Sequence, residues 1–314
     1  MTDGGLIPGV FTNWEALGFS HSPRRVVSLV PSVTESLIEL GAGESLVGIT
    51  DYCLHPAAKV ADIPRVGGTK NPDLHAVKAA LPDLIIANQE ENRKEDLQAL
   101  AAEGFKIWLT FPCTVRQAID LLWEITKLFH RPLMGQSLAV LETGYEWASL
   151  AAPNSPSAKV FCPIWREPSA AQGAPRYWMT FNRQTYMHDL LGLCGGVNVF
   201  ADRERRYPLA ADLGAGPADA PEPERDMRYP RVTPAEVAGH APEVILLPSE
   251  PYPFAEADLT AFEAYPGIPA VKNGHLRLVD GSLLTWPGIR LAKALSALPE
   301  LLSVSETFGE DAEI

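Results

Sequence analysis

Short apolar runs alternate along this chain with segments whose apolar residues recur at three- and four-residue steps. Runs of the first kind are typical of buried strands, and the spacing of the second is typical of helices. The apolar runs cover residues 25–30, 46–50, 84–87, 105–110, 159–165, 241–247 and 275–279. Strand, helix and strand in this order predict parallel, doubly wound α/β sheets.

One longer helical pattern, at residues 131–152, lies near the middle of the chain. Pro132 suits the first turn of a helix, and the next proline is Pro153. One face would carry Leu133, Ser137, Leu138, Leu141, Tyr145 and Ala148. About twenty residues at 1.5 Å each give a rod of roughly 30 Å. We interpret this segment as a helix joining two α/β lobes. The alternative is an ordinary helix inside one large domain, which periodicity alone favours.

These patterns divide the chain into five predicted segments. They are an N-terminal arm (1–23), an N-terminal lobe (24–130), the connecting helix (131–152), a C-terminal lobe (153–302) and an acidic tail (303–314). Several polar residues have the spacing of helix caps: Ser32 with Glu35, Thr114 with Gln117, and Thr233 with Glu236. Residues 203–230 are rich in proline, glycine and charge, and we interpret them as a long excursion or lid.

Composition narrows the classes of function. The chain has 314 residues, 46% of them hydrophobic, and a formal net charge of −13. This negative charge argues against nucleic-acid binding and against docking on anionic lipid. The start lacks the apolar core of a signal peptide, so we expect a cytoplasmic protein, or a periplasmic or cell-surface protein if the true start lies upstream. The four cysteines, Cys53, Cys113, Cys162 and Cys194, are widely spaced, and we expect buried, reduced thiols.

The common signatures of catalysis are absent from the sequence. It contains neither a phosphate-binding G-x-x-x-x-G-K-[ST] loop nor a G-x-S-x-G nucleophile elbow, and no two histidines are spaced as H-x-x-x-H. We therefore assign no catalytic residue and no metal ligand. His188, beside Asp189, is the histidine that a metal or proton-transfer role would involve.

Aromatic and polar residues cluster instead where the predicted strands end, and open α/β sheets bind ligands at that edge. Aromatic surfaces with a few polar groups suit a large, flat, partly polar ligand. The candidate ligand-binding residues are Tyr52, Gly68, Lys70, Glu90, Trp165, Arg166, Trp178, Tyr229 and Trp286. For each tryptophan alone, packing in the core is the more common role, so the prediction rests on the clustering.

Three stretches of the first half resemble a known family. They are Arg25–Glu35 (RVVSLVPSVTE), Val66–Leu74 (VGGTKNPDL) and Pro82–Ala87 (PDLIIA). Together they resemble the substrate-binding proteins of ABC importers, specifically the helical-backbone class. Within that class, Gly-Gly-Thr-Lys-Asn-Pro is most similar to the cobalamin-binding receptors. In the second half, residues 195–200, 229–233 and 242–247 fit the same pattern.

The resemblance implies two Rossmann-like lobes bridged by one long helix, with a cobalamin-like ligand in the cleft between them. It implies a binding protein rather than an enzyme, and we expect a monomer without a cofactor of its own. Tyr229 and Asp280 correspond by position to ligand-binding residues of the family, whereas Asn88 stands where some members have an aromatic. The family also implies glutamates that dock on an ABC permease, here Glu91 or Glu95 and Glu236.

Two alternatives stay open at this point. A receptor of the same fold could bind haem, an iron–siderophore complex or a metal ion, and a metal would need converging His and carboxylate ligands. A cytoplasmic, corrinoid-related enzyme would instead need an acid–base pair, for example Glu90 with His188.

Overall fold

A computed structural model describes residues 8–152, 157–167, 176–220, 222 and 225–304. Residues 153–156, at the start of the predicted C-terminal lobe, and most of the predicted acidic tail lie outside these residues. The chain forms two compact units. The first comprises Met1–Thr143 and Trp286–Leu291, and the second comprises Gly144–Thr285 and Ala292–Ile314.

The first unit contains a five-stranded sheet in the order β1-β5-β4-β2-β3, with every described pair parallel. The strands are β1 (Val10–Phe11), β2 (Val26–Ser28), β3 (Leu46–Ile49), β4 (Leu84–Asn88) and β5 (Ile107–Thr110). All five residues of β4 are buried, as expected for a strand covered on both faces. The predicted strands of this unit are therefore confirmed. The strand Val10–Phe11 lies in the segment for which the sequence predicted an irregular arm.

Helices connect these strands. They are α1 (Pro31–Glu39), α2 (Ala57–Val60), α3 (Leu74–Ala79), α4 (Lys94–Ala102) and α5 (Val115–Leu128). Thr114 caps α5 by accepting a hydrogen bond from the Gln117 N–H, as predicted. The predicted cap at Ser32 is wrong, because α1 begins at Pro31 and Val30 occupies the N-cap position without a side-chain bond. The Glu35 carboxylate bonds elsewhere, as described below.

The second unit contains a parallel sheet in the order β12-β11-β6-β9 and a small antiparallel sheet in the order β10-β8-β7. The parallel strands are β6 (Ala158–Phe161), β9 (Gly196–Asn198), β11 (Val244–Pro248) and β12 (Leu276–Val279). The antiparallel strands are β7 (Trp165–Arg166), β8 (Trp178–Met179) and β10 (Arg231–Val232). The antiparallel sheet was not predicted, since strands of two residues are too short to show a periodicity.

The helices of this unit include one with a predicted cap, at Thr233, and one with a cap that was not predicted, at Thr185. The helices are α7 (Tyr186–Leu193), α8 (Leu209–Asp212), α9 (Pro234–His240), α10 (Glu256–Glu263), α11 (Pro269–Lys272), α12 (Ser282–Thr285) and α13 (Leu291–Leu302). Thr185 caps α7, and Thr233 forms a capping box with Glu236 at the start of α9. The core of this unit contains a group of aromatic side chains: Phe161, Trp178, Phe200 and Phe262 are each at most 1% exposed.

The connecting helix is confirmed. A 3-10 turn at Pro132–Met134 leads into α6 (Gly135–Ala151), which runs along the chain from the first unit into the second. Together with the two parallel α/β units, it gives the predicted fold class. Within the described residues, no helix combines the length and the apolar character needed to cross a membrane.

The described part of residues 203–230 is organised around one buried carboxylate. Asp212 is 1% exposed and accepts hydrogen bonds from the N–H groups of Arg206 (3.0 Å) and Arg231 (2.8 Å). The guanidinium of Arg203 lies 3.1 Å from the same carboxylate. This excursion is therefore tied to the body of the second unit at Asp212.

Candidate functional site

At the carboxyl edge of the first sheet, Tyr52 lies against a glycine turn. Gly67 has a φ of 84°, and a Cβ added to it would lie 2.8 Å from the Asp73 nitrogen, so only glycine fits there. A Cβ on Gly68 would lie 3.3 Å from Cε2 of Tyr52. The Asp51 N–H donates to the Gly67 carbonyl at 2.9 Å and fixes the two loops together. Tyr52 is 59% exposed, so this edge offers an open aromatic ring.

The neighbouring loops are held by one buried amide. Asn92 is 5% exposed, and its Nδ2 donates to the carbonyls of Leu29 (3.2 Å) and Thr69 (3.0 Å). Its Oδ1 accepts from the Asn88 N–H at 2.8 Å. Lys70 donates from Nζ to the carbonyl oxygen of Glu90. The structure therefore brings two predicted residues, Lys70 and Glu90, together on a framework that Asn92 supports.

Beneath this edge lies a buried cysteine. The Cys53 thiol is 0% exposed and lies 3.1 Å from the hydroxyls of both Thr34 and Thr50. Burial raises the pKa of the Cys53 thiol, against the smaller lowering effect of the Thr34 hydrogen bond. Nucleophilic reactivity needs the thiolate, so Cys53 is a structural residue. All four cysteines are free thiols; Cys53, Cys162 and Cys194 are buried as predicted, whereas Cys113 is only half-buried.

Trp286 belongs to the first unit, although it follows the last strand of the second. Its ring meets the His55 ring edge-on at a centroid distance of 5.9 Å, and the Arg290 guanidinium lies 4.8 Å from its centroid. Arg290 donates from Nε to the Glu35 carboxylate at 2.6 Å, and both side chains are at most 8% exposed. The segment Trp286–Leu291 is therefore anchored to α1, which places Trp286 in the unit that also carries Tyr52.

In the second unit, Trp165 and Tyr252 form an aromatic pair. Their ring centroids are 5.4 Å apart at an interplanar angle of 80°, and Tyr252 packs in turn on Phe254 at 4.6 Å. Trp165 is 41% exposed, so it offers an accessible indole close to the end of β6. This pair gives the second unit an accessible aromatic surface of its own.

Two other predicted residues of the second unit serve the fold. Trp178 is 1% exposed and stacks on Phe262, with centroids 4.9 Å apart and planes 5° from parallel. Assigning Trp178 to the ligand was therefore wrong, because its ring is part of the aromatic core. Arg166 donates from Nη1 to Asp258, and the two side chains are 14% and 12% exposed. Asp258 also accepts from the Ala255 N–H at 3.0 Å, so Arg166 helps to fix the start of α10.

Asp280 and Tyr229 lie at the surface of the second unit. Asp280 follows β12, is exposed, and accepts hydrogen bonds from the Ser282 N–H (3.0 Å) and Oγ (2.6 Å). The Tyr229 ring is half-buried, with the Arg228 guanidinium 5.3 Å from its centroid. Both are accessible from solvent, which the predicted ligand role requires.

The three predicted docking glutamates differ in their surroundings. The Glu95 side chain is 70% exposed, and its carboxylate lies 3.8 Å from Arg93 Nε. Glu91 is half-buried beside the loop that Asn88 supports. Glu236 accepts from the Thr233 N–H at 2.8 Å and lies 3.4 Å from Arg203 Nε. Glu236 therefore stabilises the start of α9 as part of the capping box. Glu95 is the most accessible of the three glutamates.

His188 and Asp189 do not form part of a metal cluster. Among the described residues, no group of three or more His, Cys, Asp or Glu side chains could hold a metal ion. His188 Nδ1 is buried, with no hydrogen-bond partner in the described part of the chain. Burial lowers the pKa of His188, and the neighbouring Asp189 raises it by less.

Sequence reasoning missed Asn92, Arg290 and Glu250, which shape these edges. Glu250 accepts from the Thr285 hydroxyl at 2.8 Å, and Gly281 packs so closely that an added Cβ would lie 2.6 Å from the Glu250 nitrogen. Asn92 could have been suspected from its place just after the predicted strand β4. The partners of Arg290 and Glu250 lie far away in sequence, so no local pattern indicates them.

Comparison with known proteins gives consistent results. Residues 26–139 match the family described as periplasmic binding protein. The vitamin B12-binding protein of Photorhabdus laumondii is 28% identical over 194 residues, which are 60% of this chain and 67% of that protein. The vitamin B12-binding proteins of Vibrio cholerae are 28% identical over 188 residues, and the match spans 63% of their length.

Two solved structures share the fold. The periplasmic vitamin B12-binding protein of Vibrio cholerae superposes with a TM-score of 0.70 at 21% identity, covering 90% of this chain and 97% of that one. The periplasmic haem-binding protein of Roseiflexus gives 0.68 at 20% identity, covering 89% and 97%. Since both B12- and haem-binding proteins superpose equally well, the fold does not discriminate between these ligands.

Proposed function

Because this chain belongs to the periplasmic binding proteins, within the helical-backbone class of ABC-importer substrate-binding proteins, we propose that it captures a cobalamin-like corrinoid for an ABC permease. The family and the relatives are binding proteins rather than enzymes. The ligand and the permease are the parts of this proposal that need experiment.

The open Tyr52 ring on the glycine turn carries the proposal. A corrinoid presents a broad, flat macrocycle with amide groups around its rim, and an exposed ring on a fixed turn suits such a face. A Cβ at position 68 would lie 3.3 Å from the Tyr52 ring, so glycine keeps the space beside this ring free for a ligand. In the second unit, Trp165 with Tyr252 supplies a further aromatic surface, and Asp280 a polar group.

Isothermal titration of the metal-stripped full chain with cyanocobalamin tests the proposal, with haem and zinc as parallel titrants. We expect one-to-one binding of cyanocobalamin at micromolar or tighter affinity. A heat of binding with haem or zinc, and none with cyanocobalamin, would be consistent with a receptor of this family but would rule out the corrinoid as its ligand. Silence with all three titrants would reject the proposed receptor.

Variants assign the binding surface. Tyr52→Ala, Trp165→Ala and Tyr229→Ala should each weaken corrinoid binding by about 1–3 kcal/mol if the rings cover the ligand. Leu81→Ala is the matched control, since Leu81 is 70% exposed at the end of α3. Unchanged affinity in all three aromatic variants would contradict the assignment.

The permease contact needs a separate assay. Glu95→Ala should leave corrinoid affinity unchanged and reduce corrinoid uptake by cells that depend on this protein, and Glu91→Ala should do the same. Glu236→Ala is a poor probe, because it also removes a capping box worth about 1 kcal/mol. Loss of corrinoid binding in Glu95→Ala would show that a ligand-binding residue had been mistaken for a docking residue.

A further inference from the structure

Helix α6 exposes an unusual amount of apolar surface. Val140, Trp147 and Leu150 are 73%, 74% and 77% exposed, and Leu133, in the turn before the helix, is 86% exposed. The opposite face carries Leu138 and Leu141, which are at most 8% exposed. The helix therefore has one apolar face that packs on the protein and a second that faces solvent.

Residues on the solvent-facing side of α6 recur at a regular spacing. Leu133, Ser137, Val140, Gly144, Trp147 and Ala151 follow one another at alternating four- and three-residue steps. Residues at these steps line one side of a helix. We call these six residues the α6 stripe. Large and small side chains alternate along it without exception.

Gly144 gives independent support that the stripe is a packing surface. Glycine is among the poorest helix formers, yet it lies inside α6. A Cβ added there would meet nothing within 4 Å, and its φ is not in the left-handed region. Nothing within the described chain therefore requires glycine at this position. A second helix packed on the stripe would require it, because small residues allow close approach.

The stripe is also nearly free of charge. Of the exposed residues between 132 and 151, Glu146 alone carries a charge, on a chain whose formal net charge is −13. Two copies of such an acidic protein repel each other at most places on their surfaces. A face depleted in charged residues, with an exposed tryptophan, has the composition of an interface core.

We propose that the α6 stripe pairs with the α6 stripe of a second copy in an antiparallel dimer. Centred on residue 142, this pairing sets Leu133 opposite the partner's Ala151, Ser137 opposite the partner's Trp147, and Val140 opposite the partner's Gly144. Every layer then joins a large side chain to a small one, and the two-fold axis repeats each contact. The dimer departs from the monomer that we expected at the start.

The exposed area suits a weak but specific dimer. Leu133, Val140 and Trp147 of the α6 stripe, together with Leu150 next to Trp147 on the helix, hold on the order of 500 Å² of exposed apolar surface per copy, judged from the usual size of such groups. Two copies would thus bury roughly 1,000 Å², which is near the lower limit of specific interfaces. We therefore expect a reversible dimer with a dissociation constant in the micromolar range.

Sedimentation equilibrium of the full chain up to about 200 µM tests this affinity range. The wild type should dimerise, and Trp147→Glu should weaken the dimer about a hundredfold by placing a charge in its core. Gly144→Gln should also yield monomers while raising the thermal stability of the fold, since it removes a helix-interior glycine. Leu81→Glu is the control at an equally exposed leucine and should leave dimerisation unchanged.

Cross-linking tests the register. In a Cys113→Ser background, which leaves only buried native thiols, Val140→Cys with Gly144→Cys should form a disulfide-linked dimer under mild oxidation. Ser137→Cys with Gly144→Cys places no two thiols opposite each other and should cross-link at least tenfold more slowly. A monomeric wild type would overturn the proposal and leave the stripe to a different partner. Dimers that survive both Trp147→Glu and Gly144→Gln, or equal cross-linking of the two pairs, would overturn it too.

Discussion

The two units present their predicted ligand-binding residues differently. In the first unit, Tyr52 is 59% exposed and Lys70 lies at the surface of a loop that buried Asn92 holds in place. In the second unit, Trp178 is in the core and Arg166 is paired with Asp258. The position of a residue after a strand therefore predicts which edge of the sheet it lies on, but not whether its side chain is available.

The difference arises from how each unit fills its interior. The first unit packs aliphatic residues such as Val27, Ile85 and Ile107 around its sheet. The second packs Phe161, Trp178, Phe200 and Phe262 against one another. Aromatic residues pack such a core, and aromatic residues would also bind a flat ligand, so the residue type alone does not show which role a tryptophan has. Trp165 and Trp178 can thus be told apart only by their contacts.

Replacing Trp178 and Trp165 by alanine should give the largest difference in the free energy of unfolding between two matched variants. Trp178→Ala should lower the free energy of unfolding by about 3–5 kcal/mol, because it opens a cavity between Phe161 and Phe262. Trp165→Ala should cost about 1 kcal/mol or less, since Trp165 is 41% exposed. Urea unfolding followed by circular dichroism measures both. Similar losses in the two variants would contradict the division between core and ligand surface.

Breaking the buried ion pairs should give the next largest loss in the free energy of unfolding. Arg290→Met should cost about 3 kcal/mol or more, since it leaves the Glu35 carboxylate buried without its guanidinium. Arg166→Met should cost less, because Asp258 keeps the hydrogen bond from the Ala255 N–H. Urea unfolding of both variants ranks them.

The double variant Glu35→Leu with Arg290→Met is the control for this ranking. It should recover most of the lost stability, because no uncompensated charge is then buried. A double variant no more stable than Arg290→Met would show that the packing of the Arg290 side chain, rather than its charge, holds Trp286–Leu291 in place.

Much of the fold could be predicted from the sequence, because it depends on local signals. The apolar runs predicted the described parallel strands except β1 and β9. Proline and periodicity predicted α6, and Thr114 and Thr233 were correctly predicted as helix caps. The predicted Ser32–Glu35 box failed because Glu35 instead pairs with Arg290, 255 residues later. Contacts of that kind, like the stacking of Trp178 on Phe262, leave no trace in local spacing.

Asn92 supports the loops at the carboxyl edge of the first sheet and is not itself a predicted ligand-binding residue. Asn92→Ala should lower the free energy of unfolding by about 2 kcal/mol, since it leaves the Leu29 and Thr69 carbonyls and the Asn88 N–H without their partner. Gln89→Ala, at an exposed position of the same loop, is the matched control. Urea unfolding should separate the two, and an equal stability would contradict the role of Asn92 as a support.

Replacing His188 should change the free energy of unfolding least. It tests whether this partly buried histidine of the second unit contributes to the pH dependence of stability. Burial lowers the pKa of His188 in the folded protein, more than Asp189 raises it. As the pH falls through about 6.5, the unfolded chain therefore binds a proton before the folded chain does. Stability should then decrease on acidification through this range, and His188→Gln should reduce that decrease while leaving stability at pH 8 nearly unchanged. Urea unfolding of both proteins between about pH 5 and pH 8 measures the slope. An identical slope in the variant would show that other groups carry the pH dependence.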